Sequence, residues 1–277
     1  MTDTPLVADF RALCNEIWSY SGGIIFDDIL AHWVGRSRAA VAALGELREA
    51  RPYDTAILEH SANMWNLYAL SRVNDILLLA FQNVEDGRET FAIPAWFELS
   101  REQYVEFFES LGFVLMERPD FSAFYHEILN VRQAPDENQP VALGSEHWPC
   151  LMLGNMMFSR AGVDVVAGAH LVNKEIAETS ALYFCYTRRG RRTADLSKGW
   201  GSNSQWRTSF RRDFHVGPEL IYNIDGKYLL NAVNPDEVNQ WGLSVEERTQ
   251  LCKYRCSIVK NKRDDVWPYD DRLSEKL

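Results

Sequence analysis

The chain has no apolar run approaching the length of a membrane span, which needs roughly 18–20 apolar residues in a row. It has no basic-then-apolar leader, since Met1 to Asp9 is polar and acidic, so no secretory signal is expected. Positive charge is in deficit. Lys and Arg number 29 against 39 Asp and Glu, a net of −10, which argues against general nucleic-acid binding because that requires a basic field. Cysteine is sparse, and the five present (Cys14, Cys150, Cys185, Cys252 and Cys256) are odd in number and scattered. The expectation is a cytoplasmic protein with reduced thiols and no membrane association.

Signatures of chemistry are missing too. No phosphate-binding Gly-x-x-x-x-Gly-Lys-Ser/Thr or Gly-x-Gly-x-x-Gly run occurs, and no His-Glu-x-x-His or Gly-x-Ser-x-Gly, so neither nucleotide nor zinc-protease nor serine-hydrolase machinery is announced. Cys252 and Cys256 lie four apart on a predicted helix, but no second Cys or His pair completes a zinc set, and both read as buried structural thiols. Cys150, three residues after His147, leads an apolar run and reads as core. No metal and no cofactor is expected.

What is present is an ordinary globular composition, 46% hydrophobic and 25% charged over 277 residues, with nine tryptophans. The latter imply a well-packed core or aromatic anchors at an interface. One stretch departs from the acidic background. Between Arg188 and Asp213 eight cations meet two acids, so this is where an anion is attracted. From Gln205 the residues alternate, with Trp206, Thr208, Phe210 and Phe214 on one side and Arg207, Ser209, Arg211, Asp213 and His215 on the other. Period two predicts a half-buried strand with a polar edge. The Gly199–Ser204 segment before it offers backbone N–H groups and hydroxyls. Lys198, Ser204, Arg207 and Arg211 are candidate anion ligands. Asp213, His215 and Ser202 are the candidate catalytic groups if the chain is an enzyme. The structural alternative is a solvated strand face whose arginines pair with acids elsewhere.

Taken in order, residues 1–83 read as helical. Apolar stripes predict helices over 4–20, 27–50 (with a break near Gly35) and 54–83, the last apolar on more than one face. Residues 84–135 read as mixed and acidic. Ser100 with Gln103 forms a capping box opening a helix to Leu111, on which Glu102, Glu106 and Glu109 make an acidic stripe. A further helix is expected over about 121–133, and a loop over 134–149. From Glu85 to Glu137 twelve acids face four bases, a solvated face or a docking surface for a cationic partner. Residues 148–232 read as strands over 151–158, 163–169, 181–187, 204–216, 219–224 and 227–231, with Asp225-Gly226 as a hairpin turn. A second capping box, Ser244 and Glu247, opens the last helix, and residues 244–277 close the chain with a charged tail. The expected fold is α+β, a helical N-terminal layer on a mainly antiparallel sheet, in one compact domain.

Two functions follow. The first is a non-catalytic binding protein that neutralises or escorts a basic protein partner, as immunity or antitoxin proteins do, steered by Glu102, Glu106 and Glu109. The second is a hydrolase or transferase for a phosphate- or carboxylate-bearing substrate. Arg207 and Arg211 would clamp the anion, and His215 with Asp213 would serve acid–base chemistry.

Overall fold

A computed structural model describes residues 10–52, 61–83, 95–195, 208, 210–260 and 265–277. The fold is α+β, and no described helix is long and apolar enough to cross a membrane.

Helix α1 (Phe10–Ser19) buries Phe10, Leu13, Cys14 and Ile17, one stripe at helical spacing. Its expected start at Thr4-Pro5 lies outside the described residues. Trp18, expected on the same stripe, is instead exposed and stacked on Trp96 at 5.0 Å. The second helical region is three pieces: a π-helical turn (Phe26–Leu30), α2 (Ala31–Arg36) and α3 (Arg38–Arg48). The break falls at Ser37, with φ −116°, while Gly35 stays inside α2. Helix α4 (Ala62–Leu77) is buried on all sides, Arg72, Asn74 and Asp75 included, as expected of an apolar pattern wider than one face. Helix α5 (Arg101–Ser110) carries the capping box: Ser100 Oγ accepts the Gln103 N–H and the Gln103 side chain accepts the Ser100 N–H.

Residues 121–133 are not a helix. They hold strand β2 (His126–Gln133), and the expected loop over 134–149 holds β3 (Ala142–Trp148). With β6 (Ala161–Ala167) these form a sheet in the order β2-β6-β3, in which β2 runs parallel and β3 antiparallel to β6. The misreading has a cause. A register shift between Ile128 and Asn130 puts buried Ile128 and Val131 three residues apart, so a bulged strand shows helical spacing.

The main sheet has seven strands: β1 (Val114–Met116), β4 (Cys150–Leu153), β5 (Met156–Ser159), β9 (Asp213–Val216), β10 (Glu219–Tyr222), β12 (Asp271–Lys276) and β11 (Tyr228–Leu229), in that spatial order. Every pair is antiparallel except β11 with β12. Both faces are apolar. Leu151, Leu153, Met156, Phe158, Phe214 and Ile221 join the core shared with α1, α4 and α5. Cys150, Met152, Met157, Leu220, Tyr222 and Leu273 join a second core with the smaller sheet and α7 (Val245–Tyr254). Double burial turns alternation into continuous apolar sequence, which hides the turn inside 151–158. That run is the β4–β5 hairpin, not one strand, and Gly154 at its turn has φ 57°.

Two more expectations change. Of the strand over 204–216, only β9 forms among the described residues; Gln205 to Arg207 and Ser209 lie outside them. Asp225-Gly226 makes a turn, with the Gly226 N–H on Asn223 O at 2.9 Å, but no hairpin, because β12 inserts between β10 and β11. The charged tail thus supplies a sheet strand. The 181–187 segment contributes only β7 (Leu182–Tyr183), parallel to β8 (Thr193–Ala194). Helix α6 (Lys174–Thr179) precedes β7, and the arginine cluster of residues 188–192 lies between β7 and β8. Helix α7 has the expected Ser244–Glu247 box.

Candidate functional site

The centre of the candidate site is Asp213, on β9 between β5 and β10, and it is wholly buried. This reverses the expected polar edge: Arg211, Arg212 and Asp213 are all inside. The arginines do pair with acids, as the structural alternative held, but away from water. Asp213 Oδ1 accepts from Arg211 Nε at 2.8 Å and from the Asn223 N–H at 2.7 Å. Oδ2 accepts from Arg255 Nη2 at 3.0 Å and has Arg160 Nη2 at 3.5 Å. Three guanidiniums thus share one carboxylate. Burial alone would raise the Asp213 carboxyl, yet Arg211, Arg255 and Arg160 hold it far below the ordinary carboxylate range. Burial and the neighbouring Arg255 push Arg160 down to about 9, still charged at neutral pH. Burial lowers Arg255 as well, against the pull of Asp213.

The cluster opens on a small cleft bounded by α4, the end of β5 and the chain around β7. Arg160, Arg211 and Arg255 line it, with Tyr68, Phe158 and Thr208. Four guanidinium nitrogens of the cluster are buried without a hydrogen-bond partner: Arg160 Nε and Nη2, Arg211 Nη1 and Arg255 Nε. Three other carboxylates in the wall are occupied. Arg188 takes Glu127 in bidentate fashion, both contacts at 2.9 Å, and Asp75 at 2.7 Å. Tyr68 donates to Asp195 at 2.7 Å.

The backbone around Asp213 is strained. Three non-glycine residues among those described have positive φ: Phe184 (57°), Asn223 (52°) and Arg255 (60°). All three serve the cluster. Asn223 gives its N–H to Asp213, Arg255 its guanidinium, and Phe184 places its ring 4.6 Å from the Arg211 guanidinium carbon. Left-handed backbone at a bulky residue costs about 1–3 kcal/mol and gathers at functional sites.

Of the residues singled out in the sequence, Arg211 and Asp213 come together here. His215 does not line the cleft. Its Nδ1 faces the Tyr125 hydroxyl at 2.7 Å and its Nε2 donates to the Gly217 carbonyl at 2.9 Å, since a carbonyl can only accept. Lys198, Ser202, Ser204 and Arg207 lie outside the described residues, although Asp195 and Thr208 on either side of that segment both line the cleft. Glu102, Glu106 and Glu109 are exposed on α5. Two other arginines of the 188–192 cluster serve the fold, Arg191 on the Ser180 carbonyl and Arg189 on the Gln82 carbonyl. Arg212 makes a bidentate pair with Asp225.

Sequence reasoning missed Arg160 and Arg255. Each stands alone against core residues, Arg160 after the apolar 150–158 run and Arg255 between Cys252 and Cys256. A lone arginine in such company is a signal, but its partner depends on strand order. The five thiols are all buried. Burial pushes Cys150 and Cys252 up to about 12 and Cys14 to about 11, so these three stay protonated and inert. Among the described residues no group of His, Cys, Asp and Glu is arranged to hold a metal ion.

Comparison with protein-family models, curated proteins and solved structures gives no match to this chain.

Proposed function

We propose that the chain binds a small anionic molecule, bearing phosphate or carboxylate, in the cleft against Arg160, Arg211 and Arg255. The observation that carries this reading is the cluster itself: three guanidiniums gathered on one carboxylate, with four of their nitrogens lacking a hydrogen-bond acceptor. A buried donor left without an acceptor costs about 1–3 kcal/mol. An anion in the cleft would accept from the idle nitrogens, and planar guanidiniums suit phosphate and carboxylate oxygens. Asp213 has both oxygens engaged, so it positions the arginines rather than accepting a proton from substrate. The cleft is therefore equipped for recognition more than for acid–base chemistry.

The test is thermal unfolding in phosphate, sulfate or acetate against chloride at equal ionic strength. A ligand of the native state raises the melting temperature by mass action. The parent protein should show a saturable rise in at least one of these anions, and Arg160→Gln should not. Equal melting in all four salts would remove the reading.

A second reading has its own observation. Glu102, Glu106 and Glu109 are exposed, and none of them forms an ion pair with a described residue. This free acidic stripe favours a basic protein partner, which the chain would neutralise or escort in the manner of an immunity or antitoxin protein. Reversing all three charges should slow association and flatten its salt dependence; unchanged kinetics with a real partner would remove this reading.

A further inference from the structure

Four of the ten exposed large apolar side chains among the described residues converge on one groove: Tyr228, Val238, Trp241 and Trp267, at 56, 60, 49 and 36% exposure. The groove is open to solvent and lies beside β11 and the chain leading to α7. Isolated exposed apolar residues are ordinary, but a contiguous aromatic set marks a contact site. Its charge decides what it contacts. Asp271 is consumed by a bidentate pair with Arg248, at 3.1 and 2.5 Å. Glu237 and Asp270 remain at the surface. Glu237 is 52% exposed and only 3.4 Å from Arg248, which Asp271 already holds. Asp270 meets the well-exposed Lys227 at 3.0 Å, a pairing of the kind that water and salt weaken.

We propose that this groove receives an arginine side chain from a basic segment of a protein partner. Indole and phenol faces attract a cation through their π density, and a guanidinium stacks flat on them. The arginine's methylene stem covers apolar surface of the kind Val238 offers, while its head reaches the carboxylates of Glu237 and Asp270. Glu237, Asp270 and Asp271 outnumber Arg248 and Lys227 by one charge, which favours a cation there over an anion or a neutral segment. The inference shares a basic protein partner with the acidic-stripe reading but shares no residue with it, so charge reversal on α5 and substitution in the groove can fail separately.

The experiment titrates the full chain with a short arginine-containing peptide, with the same peptide carrying citrulline, and with free arginine, by calorimetry. Citrulline keeps the shape and removes the charge. Saturable binding of the arginine peptide is expected, at least tenfold tighter than the citrulline peptide. Trp241→Ala should weaken it about fivefold, the factor for a contact of roughly 1 kcal/mol, and Glu237→Gln should weaken it without touching an aromatic. Both positions are exposed, so the fold is kept, and unchanged melting checks this. Equal binding of arginine and citrulline peptides, binding insensitive to Trp241→Ala, or no binding at all would overturn the proposal. Free arginine binding as tightly as the peptide would overturn the protein source in favour of a small amine.

Discussion

Arg255 adopts φ 60° just past the end of α7, and from there its Nη2 reaches Asp213 Oδ2 at 3.0 Å. Its N–H closes the helix on the Leu251 carbonyl. This is the place where a helix usually ends in glycine, because left-handed backbone costs glycine nothing. The chain accepts the strain and gains a third guanidinium on one carboxylate. Arg255→Gly separates the two. It relieves the backbone by about 1 kcal/mol and removes one of the three guanidiniums that share Asp213, so its melting temperature should stay near the parent's. Its response to phosphate should fall. A melting loss of more than about 5 °C would show that the pairing holds up the fold instead.

The opposite substitution probes the same cluster from its carboxylate. Asp213→Asn removes the carboxylate that three buried cations share, and breaking a buried pair from one side costs about 3–5 kcal/mol. For a chain of this size that lowers the melting temperature by about 2–4 °C per kcal/mol. Phosphate or sulfate should return more stability to Asp213→Asn than to the parent, because the anion then replaces the missing charge. Arg160→Gln should melt no lower than the parent, since it removes like-charge repulsion while Asp213 keeps its other donors. Urea midpoints of the two variants with and without phosphate check both statements.

Acid should unfold the protein through these carboxylates. Asp213 is held well below its ordinary range by Arg211, Arg255 and Arg160, and Glu127 is lowered by Arg188 despite its burial. A depressed folded-state value means the unfolded chain takes up protons first. The stabilisation is fully present above the unfolded values, about 3.9 for Asp and 4.3 for Glu, and is lost as pH falls below them towards the folded values. Stability should therefore drop steeply below about pH 4, after a smaller loss below about pH 6.5 from His126, whose folded value burial lowers so that the unfolded chain takes up that proton first. Denaturant midpoints measured across that range should show a shallower acid drop for Asp213→Asn, whose cluster no longer titrates. A midpoint that stays level below about pH 4 would contradict this.

Local features were legible in the sequence. Both capping boxes, the stripe of α1 and the all-round burial of α4 are set by residues within a turn or two of each other. Features decided across the chain were not. The bulge at Ile128–Asn130 gives β2 a helical spacing. Insertion of β12 turns the Asp225-Gly226 turn away from a hairpin. For the site, the excess of cations between Arg188 and Asp213 was visible and Arg211 with Asp213 was found. Their neighbours Arg160 and Arg255 come from distant strand and helix ends, brought in by sheet order. The orientation was misjudged because period two cannot distinguish a strand at the surface from one between two cores, where a polar residue on either face is buried.

The β4–β5 turn ties the sheet to the helical layer at one atom. A Cβ on Gly154 would lie 2.0 Å from the Arg48 carbonyl oxygen, and its φ of 57° disfavours any other residue. Gly154→Ala should therefore cost about 1–3 kcal/mol. Gly45, inside α3, has nothing within 4 Å of its would-be Cβ. Gly45→Ala should stabilise by about 0.4–1 kcal/mol, because alanine loses less backbone freedom on entering a helix. The two substitutions are chemically identical, but only Gly154 meets α3, at the Arg48 carbonyl. Opposite shifts in denaturant midpoint would show that the surroundings and φ of each position, not glycine itself, set the sign; equal shifts would deny this.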